Sequence, residues 1–327
     1  MRDSHDKGIL LARTGRSFKR FFRTREAPAK GPLIPAYHAV APAVESPFLG
    51  YKVHCVHRDV FREQMQWIKM HFDVLSVDEL VARAHEGTSL AGTAAITFDD
   101  GYRSIVEYAL PVLEELVLPA TVYLTGAILE EGGVLWRDLV RWVLSEHKVD
   151  AFLGFAMEKD PAFGKVRQEA FYSDTKNPSR IPSPSVARLL AQFLASQGID
   201  TARETQGLYC NVEDLRGFDS SLLQVGNHGF HHYVFSSLPG DMQEEEIVRG
   251  QEVLAGSGLA VSRVFSLPNG TSADYNSTTL ALLRNAGYAG LLLCEGSSKP
   301  GPSKGIQFRH GLVCLQRFLA PEVAAIE

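Results

Sequence analysis

The sequence predicts an α/β protein with a mostly parallel sheet, and two observations support this fold class. Short apolar strands alternate with amphipathic helices, as in the segments 94–98, 104–117 and 120–126. The same strand–helix–strand order returns nearer the carboxyl end, over residues 222–294. Strands that alternate with helices of about 10–15 residues are typical of parallel sheets.

Local patterns predict the first elements of the chain. The apolar segment 33–40 is a candidate first strand. The segment 58–72 repeats apolar residues at helical spacing, with Asp59 as the expected N-cap. Its apolar face contains Phe61, Met65, Ile68 and Phe72. Ser76 and Glu79 have the spacing of a capping box, which predicts another helix start.

Length and composition bound the fold and the partners. The chain has 327 residues, 45% of them hydrophobic, a size at which an α/β barrel can form one domain. The formal net charge of -5 gives no bulk electrostatic reason to bind nucleic acid. The cysteines are widely spaced, which predicts free thiols in a reducing compartment. They are Cys55, Cys210, Cys294 and Cys314.

We divide the chain into a basic arm with a linker, residues 1–32, and a barrel domain, residues 33–327, with an elaborated insertion at about 145–212. No apolar run approaches the ~18 residues of a membrane span, and the amino terminus does not match a signal peptide. These features predict a cytoplasmic protein. Residues 9–25 mix Leu and Phe with Arg and Lys. That segment is either a solvated arm or a peripheral contact with the inner membrane face. Nothing indicates an oligomeric state.

Asp99 and Asp100 directly follow the predicted strand 94–98, and Gly101 permits a tight turn after them. Functional groups of α/β proteins collect at the carboxyl ends of strands. Two adjacent carboxylates are costly there unless a positive charge lies beside them. The pair therefore predicts a cation, and a divalent metal ion is the usual one.

The segment "VGNHGFHHYVF" supplies histidines that could bind the same ion. His228 and His232 are four residues apart, which lets two imidazoles converge from a helical turn. With Asp100 they would form a three-ligand site with open positions for water, as in catalytic zinc centres. His231 leaves a second pairing open, because His228 and His231 also have ligand spacing.

Motifs of other chemistries do not occur in the sequence. It contains no GxSxG nucleophile elbow, no GxxxxGK[ST] phosphate loop and no GxGxxG after a strand. The Gly/Ser/Lys-rich segment 296–305 has the wrong spacing for a phosphate cradle and is interpreted as a loop. A serine hydrolase, a P-loop NTPase and a dinucleotide-dependent enzyme are therefore disfavoured.

These motifs resemble the polysaccharide deacetylase family, also known as the NodB-homology family or carbohydrate esterase family 4. "TFDDG" and "NHGFHH" match its first two motifs, and the combination is specific. Further matches are "LPATVYLTG" (118–126), "FSLPNG" (265–270), "AYHAV" (36–40) and the segment 61–80. The last two resemble the branch whose motifs are circularly permuted. The resemblance covers about residues 33–320.

The resemblance implies a distorted (β/α)7-type barrel and a metal-dependent hydrolase that removes an N-acetyl group from a sugar. Carried over by motif, Asp99 would be the general base that deprotonates the attacking water. Asp100, His228 and His232 would bind the metal ion. Zinc is the default ion for this ligand set, with nickel, cobalt and iron as alternatives.

The general acid departs from the commonest family pattern. Most relatives have a late histidine near the last barrel strand, whereas this chain has "LLLCEG" there. In the permuted branch the corresponding histidine lies in a "YHxV" element, which makes His38 the candidate. His310 is a second candidate. Taken alone, His38 would be interpreted as a core histidine on an apolar strand.

A second departure is "SLPNG" in place of the family's RPPY motif. An arginine in that motif would orient the base aspartate. Arg317 and Arg263 are the alternative orienting residues in this chain. We expect Leu267, Pro268 and Asn269 to contact the substrate around the acetyl group.

The substrate is expected to be an N-acetylated polysaccharide, oligosaccharide or lipid-linked precursor. The missing export signal favours a precursor in exopolysaccharide or lipopolysaccharide biosynthesis. Two alternatives stay open. The same site could deformylate a formamido sugar or hydrolyse a cyclic amide, or the chain could be a catalytically weak metal-binding or scaffold protein.

Overall fold

A computed structural model describes residues 31–43, 46–50, 54–294 and 306–320 of the chain. The basic segment predicted at residues 9–25 lies outside the described residues. In the described part, each helix is too short or too polar to cross a membrane.

In the described residues, seven parallel strands form the central sheet. They are β1 (Pro35–Tyr37), β2 (Ile96–Phe98), β3 (Ala120–Leu124), β4 (Leu223–Asn227), β5 (Val264–Ser266), β6 (Gly290–Cys294) and β7 (Leu312–Leu319). Each strand from β1 to β4 pairs in parallel with the next, and β5, β6 and β7 pair likewise. Strand β7 returns to pair with β1. The strands therefore follow one another around the sheet in chain order.

Closure between β4 and β5 depends on one parallel bridge. Val225 of β4 pairs with Val261, which precedes β5. The Val225 amide donates to the Ala260 carbonyl, and the Val225 carbonyl accepts from the Ser262 amide. The barrel is therefore closed but distorted at this seam. The predicted (β/α)7-type barrel is confirmed. The short strand Gln307–Arg309 pairs with β7 as an antiparallel hairpin. Two further pairs of short parallel strands lie outside the barrel. They are Ala39–Val40 with Cys55–Val56 and Asp73–Val74 with Thr93–Ala94.

Helices occupy most of the connections between strands. They are α1 (Pro47–Gly50), α2 (Arg58–His71), α3 (Val77–His85), α4 (Arg103–Tyr108), α5 (Leu110–Leu116), α6 (Gly126–Glu131), α7 (Trp136–Ser145), α8 (Val149–Lys159), α9 (Phe171–Asp174), α10 (Ser183–Ser196), α11 (Thr201–Glu204), α12 (Val212–Arg216), α13 (Gly240–Gly256) and α14 (Ser277–Asn285). Two 3-10 turns, Pro161–Lys165 and Phe235–Ser237, complete the set in the described residues.

Two local predictions need correction. The N-cap of α2 is His57, whose extended backbone lets its ring accept from the amide of Asp59, so Asp59 lies inside the first turn. The helix predicted at 104–117 is split into α4 and α5, because Pro111 cannot donate a backbone hydrogen bond. Ser76 is an N-cap as predicted, and its hydroxyl accepts from the Glu79 amide at 3.1 Å.

Helices α7 to α11, residues 136–205, pack around a core of their own, and we call this region the helical layer. Its core is aromatic, with Phe152 fully buried and in edge contact with three other phenylalanines. These are Phe163, Phe171 and Phe193. Most of the insertion predicted at 145–212 falls in this layer. The barrel packs against other helices through separate apolar clusters.

The barrel interior determines which side chains reach the site. Side chains alternate along a strand, so Thr97 and Asp99 share the inner face of β2 while Phe98 packs outward against Phe61 of α2. Gly226 lies on the inner face of strand β4. Only a glycine fits there, because a Cβ would come within 2.3 Å of the Tyr123 ring. The tyrosine thus fills the barrel below the carboxyl ends of the strands.

Candidate metal centre and active site

Asp99 and Asp100 leave β2 in different directions. The Asp99 amide donates to the Tyr37 carbonyl at 2.9 Å, which extends the pairing of β1 and β2 by one step. Asp100 then has a φ of 71° and Gly101 a φ of 74°. Two consecutive left-handed residues turn the chain sharply, so Asp99 points along the barrel interior and Asp100 turns beside it. Both carboxylates are buried.

The two predicted histidine ligands come from the loop after β4. His228 follows the strand directly, and its Nδ1 lies 2.8 Å from the Ser266 carbonyl of β5, which leaves Nε2 to face Asp100. His232 has a left-handed backbone with a φ of 62°. The prediction that a helical turn brings them together is wrong. Gly229, with a φ of 80°, turns the loop back instead.

Asp100, His228 and His232 form a compact set of potential ligands. Their donor atoms lie within 4.8 Å of one another. The Asp100 Oδ1 is 3.4 Å from the His232 Nε2 and 3.7 Å from the His228 Nε2. A tetrahedral ion with bonds of about 2.0–2.1 Å would separate its ligand atoms by roughly 3.4 Å. The distances therefore suit a zinc-sized divalent ion.

The electrostatics of the set also suit a cation. The Asp100 Oδ1 is buried and accepts no hydrogen bond within the described chain. Burial raises the pKa of Asp100 to about 8, and Asp138 and Asp99 add to this while Arg141 opposes it. Burial lowers the pKa of both His228 and His232, which keeps the imidazoles neutral, as metal ligands must be.

His231 does not join this set. Its Nδ1 lies 2.6 Å from the Glu246 Oε1, and its backbone amide donates to Oε2 at 2.8 Å. Glu246 of α13 is buried and holds the imidazole on the far side of the loop. The pairing of His228 with His232 is therefore the one that the structure brings together with Asp100.

Arg317 of β7 makes a two-pronged ion pair with Asp99. Its Nη1 and Nη2 each donate to one carboxylate oxygen at 2.8 Å. The Ser266 hydroxyl donates to Asp99 at 3.1 Å. Burial alone would raise the pKa of Asp99, but Arg317, together with His228, holds it well below its usual range. Asp99 is thus ionised through neutral pH and fixed in direction. Arg263 instead donates to the Gly287 carbonyl and is exposed.

His38 lies beside Asp99, because the register pairs Tyr37 with Phe98 and the two residues follow directly. Its ring faces His54 at a centroid distance of 5.3 Å. Burial lowers the pKa of His38 well below its usual range; His54 lowers it further and Asp99 opposes this. His310 lies in the turn before β7, seven residues from Arg317 and therefore about 20 Å away at the other end of the barrel.

A cleft opens over these groups with a volume of about 130 Å³. Leu267 and Asn269 line it beside the proposed ligands. Pro268 does not line it and packs near Gly229. The Asn269 side-chain nitrogen is buried without a partner in the described residues, which makes it a free donor toward the cleft.

Several cleft residues were not predicted from the sequence. The helical layer contributes Arg137, Arg141, Tyr172 and Lys176, and the segment after α1 contributes His54. No motif marks them, because their neighbours in sequence are ordinary helix formers. Only the unusual placement of two arginines on the apolar stretch "LWRDLVRWVL" could have drawn attention, since buried arginines need partners.

Comparison with known families gives one match. Residues 86–151 and 203–291 match the model described as "Polysaccharide deacetylase". The matched segments contain Asp99, Asp100, His228 and His232, and leave out His38, Arg317 and most of the helical layer. No curated protein matches the chain.

Solved structures share the fold at low identity. A deacetylase of Streptococcus pyogenes, PplD, solved in complex with acetate, superposes with a TM-score of 0.55 at 15% identity. The match covers 90% of this chain and 93% of that one. A de-N-acetylase from Aggregatibacter actinomycetemcomitans gives a TM-score of 0.50 at 13% identity, over 90% and 97% of the two chains. The chain thus has the fold of these two proteins.

Proposed function

We propose that the chain is a metal-dependent hydrolase that removes the N-acetyl group from an amino sugar, in line with the match of residues 86–151 and 203–291 to the polysaccharide deacetylase model. One observation supports this above the others. The ligand set Asp100, His228 and His232 lies beside an ionised carboxylate, Asp99, that is not part of the set. A binding or scaffold protein has no need for a buried base next to its metal ligands.

A divalent ion bound by Asp100, His228 and His232 would polarise the acyl carbonyl and acidify the attacking water. Asp99 accepts the proton of that water. Its ion pair with Arg317 fixes both oxygens and keeps the carboxylate charged before the reaction. The Ser266 hydroxyl contacts both members of this ion pair, because it donates to Asp99 and accepts from Arg317 at 2.8 Å.

His38 is our candidate for the group that protonates the leaving amine. Because its pKa is lowered, His38 is neutral in the resting site and must gain a proton during the reaction. Asp99, which has then accepted one, lies next to it across the register of β1 and β2. A proton relayed along this pair reaches the amine. Leu267 and Asn269 would hold the acyl group, with the Asn269 amide donating to it.

The proposal is tested by acetate release from N-acetylated sugars, free, oligomeric and prenyl-linked, and in a second arm by formate release from the N-formyl analogues. The full chain is stripped with a chelator and reloaded with zinc, nickel, cobalt or iron. We expect turnover only after reloading. The control is the Asp99→Asn protein, which should bind the ion with unchanged stoichiometry and release no acetate. Equal acetate release by stripped and reloaded protein would refute metal dependence.

A further inference from the structure

The cleft holds more positive charge than the proposed reaction uses. Two carboxylates line it, Asp99 and Asp100, against three arginines and a lysine. Arg317 pairs with Asp99, and a bound ion would neutralise Asp100. Arg141 pairs with Asp138, a fully buried acid below the cleft. The remaining cations are Arg137 and Lys176.

Arg137 is buried and held in a fixed direction. It donates to the Thr175 hydroxyl at 3.2 Å and to the Tyr172 carbonyl at 3.1 Å. Its guanidinium carbon lies 4.9 Å from the Trp136 ring centre and 4.3 Å from that of Tyr172. All of these partners are neutral. An arginine stays charged in proteins. The carboxylate that acts on it electrostatically is Asp138, which is already paired with Arg141.

Lys176 lies on the same tyrosine ring, with its Nζ 5.9 Å from the ring centre. In the described residues, the acid that acts electrostatically on this ammonium group is Asp274, and the one that acts on the Arg137 guanidinium is Asp138. Asp274, an acid near Lys176, accepts from both the amide and the hydroxyl of Thr271. Burial lowers the pKa of Lys176, and Arg137 lowers it further. Tyr172, with a pKa of about 8, is mostly neutral at pH 7 and does not balance the two charges.

The segment that carries Tyr172 and Lys176 is held in place by contacts of Asp174. Asp174, buried at the end of α9, accepts from the Arg167 backbone amide at 3.0 Å and from its side chain at 2.9 Å. Arg180 reaches the same carboxylate at 3.3 Å. The turn between α9 and α10 is therefore held before a ligand arrives, which favours tight recognition.

We propose that Arg137 and Lys176 form a subsite for an anionic group of the substrate, a phosphate or a carboxylate carried by the sugar. Two cations without a paired carboxylate repel each other in one cleft, and an oxyanion between them relieves the repulsion. The N–H groups of Arg137 that do not donate to Thr175 or Tyr172 would bind its oxygens. The buried Arg141 Nε, which has no partner in the described residues, is a further donor at this side of the cleft. The substrate class is thus an acidic N-acylated amino sugar. The identity of the acyl reaction rests on the function proposed above.

The test compares N-acetylated sugars that carry either an anionic or a neutral substituent. The metal-loaded full chain is assayed with N-acetylglucosamine 1-phosphate, its neutral methyl glycoside and N-acetylmuramic acid, which carries a carboxylate. We expect kcat/KM for at least one anionic sugar to exceed that for the neutral one by about tenfold or more. Which of the two anionic sugars is preferred distinguishes phosphate from carboxylate.

Variants then assign the preference to the two residues. Lys176→Gln should shrink the ratio of anionic to neutral kcat/KM about tenfold, and Lys176→Arg should retain most of it. Arg188→Gln is the matched control, since Arg188 is an exposed cation on α10 of the same layer. Its ratio should equal that of the wild type. Arg137→Lys keeps the charge but loses the fork, and should lie between the wild type and Lys176→Gln.

Binding without turnover separates this inference from the proposed function. Calorimetry with N-acetylglucosamine 1-phosphate is run on Asp99→Asn and on Asp99→Asn with Lys176→Gln. Turnover of the neutral sugar with no anion preference, and equal binding to both proteins, would overturn the subsite and leave the deacetylase standing. Binding that depends on Lys176, with no turnover of any sugar, would overturn the deacetylase instead.

Discussion

The barrel and the helical layer contribute different chemistry to the cleft. Strand ends of the barrel supply the groups that would bind an ion and move protons, namely Asp99, Asp100, His228, His232, Arg317 and His38. The helical layer supplies cations and an aromatic ring, namely Arg137, Arg141, Tyr172 and Lys176. In the two proposals above, the barrel carries the reaction and the helical layer carries the choice of substrate.

The two regions also hold their residues by different means. Asp99 is placed by strand register, since its amide donates to Tyr37 of the neighbouring strand. Arg137 is placed by neutral hydrogen bonds and by stacking on Trp136 and Tyr172. Register cannot change without moving a whole strand, whereas a helix surface accepts substitutions one at a time. Substrate choice can therefore change in this fold while the metal ligands stay.

The largest expected effect comes from removing a metal ligand of the barrel. His228→Ala leaves two ligands, so we expect loss of the bound ion and a fall in kcat/KM of at least about 1,000-fold. Metal content by elemental analysis and acetate release measure the two effects. His231→Ala is the matched control from the same loop, because its ring contacts Glu246 and not Asp100. Equal metal loss in both variants would contradict the assignment of the ligand pair.

Removing the base should separate metal binding from turnover. Asp99→Asn keeps the shape of the side chain but cannot accept the proton, so we expect kcat to fall by about 100- to 10,000-fold. The ion should stay bound, because its three ligands are unchanged. Elemental analysis and steady-state kinetics on one preparation check both statements. Loss of the ion in Asp99→Asn would show that Asp99 is a ligand rather than a base.

The barrel and its ligand set were accessible from the sequence for a physical reason. "TFDDG" combines a strand, two carboxylates and a turn in five residues, and "NHGFHH" places the histidines within one loop. Asp100, His228 and His232 are therefore close in sequence to the strands that position them. The same reasoning was wrong about the helical turn, because a loop containing Gly229 produces the same convergence.

The helical layer was not accessible in this way. Arg137 and Lys176 meet on the Tyr172 ring only after helix packing, and no fixed spacing relates them. The ion pair of Arg317 with Asp99 joins residues 218 positions apart. The sequence left Arg263 as an alternative, and only the neighbouring positions of β1, β2 and β7 decide between them. Contacts that depend on tertiary packing have no local signature.

A pair of core substitutions would sharpen the comparison between the two regions. Phe152→Ala in the helical layer and Phe98→Ala in the barrel each remove a fully buried ring, and each should lower the free energy of unfolding by about 3–5 kcal/mol. Phe98 directly precedes Asp99, so its loss should also weaken metal affinity. Phe152→Ala should leave metal affinity within about twofold. Denaturant unfolding and metal titration measure both, and equal metal loss would contradict the division.

The smallest expected effect concerns Asn269, a barrel residue on the side of the cleft that would hold the acyl group. Its φ of 62° is left-handed, so Asn269→Gly removes the amide without straining the backbone, whereas Asn269→Ala adds strain. Losing one neutral hydrogen bond should lower kcat/KM by about 2- to 13-fold. The loss should be equal for anionic and neutral sugars, because the amide is uncharged and belongs to the barrel side of the cleft rather than to the helical layer. A loss confined to anionic sugars would show that the barrel takes part in charge recognition. It would contradict the assignment of that role to the helical layer.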